Sequence, residues 1–279
     1  MSERVVALMG AGLVDAGQPI LRADDLGVLR GDGIFETLLV RNGAAWLLEA
    51  HLARLAVSAE RMDLPAPPAR EWRDLVGTVL GRWQADTEGV LRLVCTRGPE
   101  AGGPPTAFAT VAPVPAEIVR QRRDGIAVVT RTLGVPTQLR RDAPWLLGGV
   151  KSTSYAVAMA AGREARHGGA DDVLWLSIDG DVLEAATSSV VWAVGSTLQT
   201  VPTATGILAS TTVAELFARA PAAGFEVTAR LATLADLHAS DAVWLLSSVR
   251  GVAAVRSIDG RARGDAGLTA AIRDTLELS

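Results

Sequence analysis

The sequence of 279 residues predicts an α+β fold in two domains. Three observations lead there. The first part of the chain runs strand, hairpin, helix, helix, strand, strand, an order without the strict β–α alternation of a parallel sheet. Pro113 and Pro115 then interrupt the pattern, and strand-like and helix-like segments resume beyond them. Finally, 49% of residues are hydrophobic and 21% charged, which fits a chain with a large core and excludes a disordered one. The length suits one large domain or two modest ones. We therefore expect a small N-terminal α+β domain over 1–115, an interdomain linker over 116–124 and a larger, β-rich C-terminal domain over 125–279.

Taken in order, Val5–Leu8 is a short apolar run. Ile34–Val40 and Ala45–Leu48 flank Asn42-Gly43, a strong hairpin signal. In Leu48–Met62 the residues Leu48, Leu52, Leu55, Ala59 and Met62 share one helical face, and the pattern stops before the proline-rich 65–68. A second helix is expected over Ala69–Ala85. Strands are expected over Val90–Thr96 and Thr106–Val111, joined by the Gly/Pro-rich 98–105. Beyond the prolines, 126–132, 173–177, 190–194 and 243–246 read as strands. Asp179-Gly180 and Asp259-Gly260 read as tight turns. Helices are expected over 152–167, 211–220 and 268–278. Segments 103–105 and 138–149 read as mobile loops, which often border active sites.

Charge and composition exclude several functions. Lys+Arg 27 against Asp+Glu 31 gives a net charge of −4, which argues against a general nucleic-acid or anionic-membrane binder. One cysteine, Cys95, allows neither an internal disulfide framework nor a Cys-rich metal site. The histidines His51, His167 and His238 lack metal-ligand spacing, so no metal is expected. No apolar run is long enough to span a bilayer, and the N-terminal apolar stretch is too short for a secretory signal; a cytoplasmic protein is expected. Gly10-Ala11-Gly12 fails the dinucleotide fingerprint because Asp15 stands where the third glycine should fall. No G-x-S-x-G elbow occurs.

The informative count lies among the cations. One of the 27 is a lysine, Lys151, and the rest are arginine; the single tyrosine, Tyr155, lies four residues on. Arginine replaces lysine on a solvated surface at little cost, but a guanidinium cannot do the work of a deprotonated amine. A lysine persisting alone is a candidate for Schiff-base chemistry, against the plainer reading of one surviving surface residue. Helical spacing would put Tyr155 one turn from it, where a phenol can hydrogen-bond a cofactor or relay a proton; its plainer role is a half-buried aromatic.

Four further pieces accompany the lysine. His51-Leu52-Ala53-Arg54 sets two basic groups one helical turn apart, and Arg54 is suited to a phosphate or to a helix surface. Glu184 ends an apolar strand, where a carboxylate can pair with a protonated ring nitrogen or simply face solvent. The loop at Thr205–Leu208 runs into Ser210-Thr211-Thr212 at a helix start, either a phosphate cradle or plain capping. Ser247-Ser248 after a strand adds hydroxyls. An amine, a pyridinium partner and a phosphate site together meet the needs of pyridoxal phosphate.

With these residues the chain resembles the class IV aminotransferase family, the fold-type IV pyridoxal-phosphate enzymes. That family includes D-amino acid and branched-chain aminotransferases and 4-amino-4-deoxychorismate lyases. The resemblance spans nearly the whole chain through Arg30–Thr37, His51–Leu55, Thr96-Arg97-Gly98, Lys151–Tyr155, Glu184–Ser189 and Gly206-Ile207-Leu208. It implies the two-domain D-amino acid aminotransferase-like fold and pyridoxal 5′-phosphate as cofactor. It implies that Lys151 forms the internal aldimine and shuttles protons, and that Glu184 holds the pyridine nitrogen protonated. Arg54, Thr211, Thr212 and Ser248 would bind phosphate, and Tyr155 would approach the ring hydroxyl. It further implies a homodimer, with the active site at the domain boundary and completed by the partner. The chain departs from the family in having Ser154 where Asn is frequent, Ser188-Ser189 for Ser-Asn, and Ala209-Ser210 for Pro-Gly. In lyases an asparagine commonly precedes the phosphate-contacting hydroxyl; Ser247 stands there in this chain.

The expected reaction is conversion of 4-amino-4-deoxychorismate to 4-aminobenzoate and pyruvate, a step of folate synthesis. The alternative is transamination of D-amino acids or (R)-amines with a keto-acid acceptor. From another class, a non-catalytic dimeric scaffold would be colourless when purified. The Arg-x-His carboxylate trap of typical D-amino acid aminotransferases should follow Thr96-Arg97-Gly98, but the chain has Pro99–Gly103. Arg97, Arg140 and Arg141 are candidate partners for the substrate carboxylates, against a plainer role as solvated loop arginines.

Overall fold

A computed structural model describes residues 4–265 and 267–278. It is a mixed α+β structure, and it divides into two compact units, Met1–Pro115 with Val150–Tyr155, and Ala116–Gly149 with Ala156–Ser279. In the first unit the elements are β1 (Val5–Leu8), β2 (Gly12–Val14), α1 (Leu26–Arg30), β3 (Gly33–Arg41), β4 (Ala44–Ala45), α2 (Leu48–Arg61), α3 (Ala69–Leu80), β5 (Gly89–Thr96) and β6 (Thr106–Pro113). They build a six-stranded sheet in the order β2-β1-β6-β5-β3-β4, and every pairing is antiparallel. The β3–β4 hairpin turns on Asn42 and Gly43, both at positive φ, as an Asn-Gly pair allows. Strand β3 alternates, with Ile34, Leu38 and Val40 buried alongside Leu52, Leu55, Trp72, Val76 and Leu91 in one apolar core. Burying each such side chain stabilises the unit by about 1.5–3 kcal/mol.

The second unit contains α4 (Ala116–Asp124), β7 (Ile126–Thr132), α5 (Leu139–Asp142), α6 (Ala156–His167), β8 (Asp172–Leu176), β9 (Val182–Ala185), β10 (Ser189–Val194), β11 (Thr197–Thr200), α7 (Thr211–Arg219), β12 (Glu226–Ala229), α8 (Leu234–Ala239), β13 (Ala242–Ser247), β14 (Gly251–Ile258), β15 (Arg261–Ala262) and α9 (Leu268–Thr275). Its sheet has nine strands in the order β12-β11-β10-β13-β14-β7-β8-β9, with β15 on β14. The pairs β11–β12, β14–β7 and β7–β8 are parallel. Val173, Leu174, Val190, Trp192, Val243, Leu245 and Val255 form a separate core.

Two expectations need correction, and a third segment gains a conformation. Residues 116–124, expected as an interdomain linker, form helix α4, and only Gln121 of that helix is buried. Without an apolar stripe the segment carries no helical periodicity to read. The helix expected from Ser152 begins at Ala156, because 151–155 is tied to β3: Ser152 bridges Ile34, Phe35 N–H donates to the Lys151 carbonyl, and Thr153 N–H donates to Gly33. The loop expected over 138–149 contains α5 and the 3₁₀ turn Pro144–Leu146. Among the described residues, no helix is long and apolar enough to cross a membrane.

Candidate active site

In the first unit, Lys151 is held at its backbone. Its N–H donates to Ser58 Oγ on α2 at 3.2 Å, and its carbonyl accepts from Phe35 of β3 at 3.0 Å. The Nζ lies 4.5 Å from the centre of the Phe35 ring and 3.5 Å from the Tyr155 hydroxyl. The two rings meet edge to face at 5.1 Å and form an aromatic wall beside the amine. Tyr155 thus reaches the lysine as expected, through an extended strap rather than a helical turn. The strap depends on Gly31, which caps α1 at φ 70°. A Cβ there would stand 2.7 Å from Ser154 Oγ.

Helix α2 supplies a cation, Arg54, and two neutral polar groups beside it. His51, Arg54 and Ser58 are spaced i, i+3, i+7 and share a face. Arg54 donates Nε and Nη2 to the two oxygens of Glu36, each at 2.7 Å, and His51 Nδ1 lies 2.7 Å from Glu36 Oε2. Glu36 and His51 are completely buried, while Arg54 keeps a little exposure. Burial raises the pKa of Glu36, but the hydrogen bonds from Arg54 and His51 and the charge of Arg54 overcome this and bring it down to about 2. For His51 burial wins over Glu36 and lowers the pKa, so the imidazole is neutral at pH 7. Because the carboxylate only accepts, Nδ1 carries the proton. Cys95 is no nucleophile, since burial pushes its thiol up to about 12.

In the second unit, Glu184 on β9 is fixed from two sides. Arg140 Nη1 donates to Oε1 at 3.1 Å and the Leu208 N–H donates to Oε2 at 3.0 Å. Arg140 packs against Gly206, where a Cβ would meet the Arg140 Cβ at 2.5 Å. Gly206 (φ 82°) ends a 3₁₀ turn, and the chain then enters α7, whose cap Ser210 accepts from the Val213 N–H. Thr211 and Thr212 are buried in its first turn. Ser248 is buried in the β13–β14 turn. That turn is clamped by α4: Arg122 donates to the Val249 carbonyl, and Arg250 reaches Gln121, Asp172 and Ser188 at 3.1, 2.9 and 2.6 Å.

The arginines expected at substrate are otherwise engaged. Arg97 donates to both Asp32 oxygens and to the Met62 and Asp63 carbonyls, tying the end of α2. Arg140 serves Glu184. Arg141 is exposed and paired with Asp142. Sequence reasoning missed Glu36, Phe35, Ser58 and Arg250. Glu36 left a signal: it is the acidic member of the alternating set Ile34, Glu36, Leu38, Val40, and a carboxylate on a core face needs a cation.

The residues fit pyridoxal 5′-phosphate. An amine with an aromatic wall, a carboxylate anchored by a cation and an N–H, an arginine, and a helix start with buried hydroxyls are the donors and acceptors that such a group requires. Among the described residues no cluster could hold a metal ion.

Comparison with known proteins agrees. The sequence profile of amino-transferase class IV matches residues 33–258. A bifunctional aminodeoxychorismate lyase / D-amino acid transaminase of Mycobacterium tuberculosis is 44% identical over 266 residues, covering 92% of both chains. The PLP-bound form of a hypothetical aminotransferase from Mycobacterium tuberculosis superimposes with TM-score 0.95 at 42% identity, covering 98% of this chain and 97% of that one. The 4-amino-4-deoxychorismate lyase of Pseudomonas aeruginosa superimposes with TM-score 0.80 at 27% identity, covering 98% of each.

Proposed function

The chain belongs to the class IV aminotransferase family and is a pyridoxal 5′-phosphate-dependent enzyme, and from this we propose that it converts 4-amino-4-deoxychorismate to 4-aminobenzoate and pyruvate. The observation that carries the lyase reading is the segment after Thr96-Arg97-Gly98. It is Pro99–Gly103, with no Arg-x-His, and Arg97 itself is spent on Asp32 and the end of α2. The chain thus lacks at that place the cationic trap of a dedicated D-amino acid transaminase.

We propose that Lys151 and Tyr155 of the first unit and Glu184, Thr211, Thr212 and Ser248 of the second serve one cofactor, with Arg54 on its phosphate. The bound cofactor supplies an electron sink for the pair released at the amine-bearing carbon of the substrate. Lys151 Nζ is the amine that would hold the cofactor, and as a free base it would take the proton from that carbon. The Tyr155 hydroxyl orients Nζ, and the Phe35 ring screens it from water. Glu184, immobilised by Arg140 and Leu208, keeps a proton on the pyridine nitrogen. In the substrate, the electrons would then break the bond between the ring carbon and the enolpyruvyl oxygen; the departing enolpyruvate takes up the proton that was removed and becomes pyruvate, and the ring aromatises.

A second activity, transamination of D-amino acids, is favoured by the 44%-identical relative, whose name gives both reactions. It begins with the same proton abstraction by Lys151. We propose a homodimer, on the family resemblance. An assay with aminodeoxychorismate and no keto acid tests the reading, with 4-aminobenzoate followed by fluorescence. Sustained release over many turnovers is expected. No release, with cofactor absorbance bleached by a D-amino acid and restored by a keto acid, would make the protein a transaminase alone.

A further inference from the structure

We infer that Glu36 is a positioning residue, which sets the orientation of the Arg54 guanidinium toward the cofactor phosphate. This rests on the reading of Arg54 as a phosphate ligand. Glu36 lies on the core face of β3 with Ile34, Leu38 and Val40, and none of its side chain is exposed. A carboxylate is retained there only if its charge is met. Both of its oxygens are engaged: Oε1 by Arg54 Nε, and Oε2 by Arg54 Nη2 and His51 Nδ1. Two parallel bonds fix the plane of the guanidinium, which one bond would not.

The pair is side-on. It occupies the Nε–Nη2 edge, so the Nη1 end of the same rigid plane is directed elsewhere, and Glu36 determines where. His51 completes the arrangement without adding charge, since its imidazole is neutral. The same face of α2 holds the Lys151 backbone through Ser58. Strand β3 and helix α2 together therefore register the arginine and the lysine against one carboxylate and one hydroxyl.

The test compares two ligands that differ only in the phosphate. Full-length wild-type protein, Glu36→Gln and Arg54→Gln are stripped of cofactor and titrated with pyridoxal 5′-phosphate and with pyridoxal, followed by tryptophan fluorescence. Loss of a charge-assisted bond predicts that Glu36→Gln binds pyridoxal 5′-phosphate about 10- to 100-fold more weakly, with pyridoxal affinity unchanged. Equal losses for both ligands would show general damage to the fold and overturn the inference, as would an unchanged or improved preference for the phosphorylated ligand. If Glu36→Gln does not fold, Glu36→Asp is measured. Its shorter arm cannot keep both bonds, so the preference should again fall, and a wild-type ratio would overturn the inference. Arg54→Gln separates the two ideas: a normal ratio there removes the phosphate reading and the inference with it. A reduced ratio there beside a normal one in Glu36→Gln removes the inference alone.

Discussion

Lys151 illustrates how much one side chain can say. Its solitude among 27 basic residues marked it in the sequence, and the structure surrounds it with Phe35 and Tyr155. Lys151→Arg keeps a cation of similar length but no amine that can be deprotonated at neutral pH. The variant should fold with unchanged circular dichroism, lose the visible absorbance of lysine-bound cofactor, and lose turnover; persistent turnover would remove Lys151 from the chemistry. Glu36 gives a pH prediction of definite sign. Its folded pKa of about 2 lies below the usual carboxylate value of 4.5. Its stabilisation is therefore fully present above pH 4.5 and fades as pH falls toward 2. The span corresponds to roughly 3 kcal/mol. Denaturant midpoints of wild type and Glu36→Gln should differ most at neutral pH and converge in acid. A gap that stays constant down to pH 2 would mean that the pair does not titrate as described. His51 acts in the same direction: burial depresses its pKa, so its neutral form stabilises above 6.5 and that contribution is lost as pH falls below it.

Elements were legible where a periodicity ran long enough to count. The stripe Leu48, Leu52, Leu55, Ala59 located α2, expected over Leu48–Met62 and observed over Leu48–Arg61. The apolar run 126–132 is β7 to the residue. What escaped was short or polar: α1 has no buried residue, and α4 has only Gln121. Residues 152–155 read as helix because Ala156, Met159, Ala160 and Arg163 beyond them keep helical spacing; backbone pairing with β3, a tertiary effect, holds them extended instead. Roles escaped for the same reason. Arg140 is a loop arginine in the sequence, and only the fold brings it against Glu184. Its neighbour Gly206 supplies a test at this scale. Gly206→Ala forces a Cβ to within 2.5 Å of the Arg140 Cβ at a φ of 82°. The substitution should cost about 1–3 kcal/mol in urea unfolding. By displacing α5 it should also loosen Glu184, read as weaker cofactor binding. Wild-type values for both would show that the packing is slack.

On the scale of the whole molecule, each unit has its own sheet and its own apolar core. The residues proposed for the cofactor are divided between them: Lys151, Tyr155 and Arg54 in the first, Glu184, Thr211, Thr212 and Ser248 in the second. A ligand that binds only the folded state stabilises whatever it touches, by about 2.7 kcal/mol at a hundredfold excess over Kd. Removing the cofactor should therefore lower Tm by roughly 5–10 °C for a chain of this size. Hydrogen exchange shows where that loss falls. Faster exchange on removal is expected in β3 and the 151–155 strap, and equally in β9 and the first turn of α7, while the buried strands β5 and β13 change little. If β9 and α7 exchange at the same rate with and without cofactor, Glu184, Thr211 and Thr212 do not hold it. The proposed division of labour would then fail, although Lys151 would keep its role.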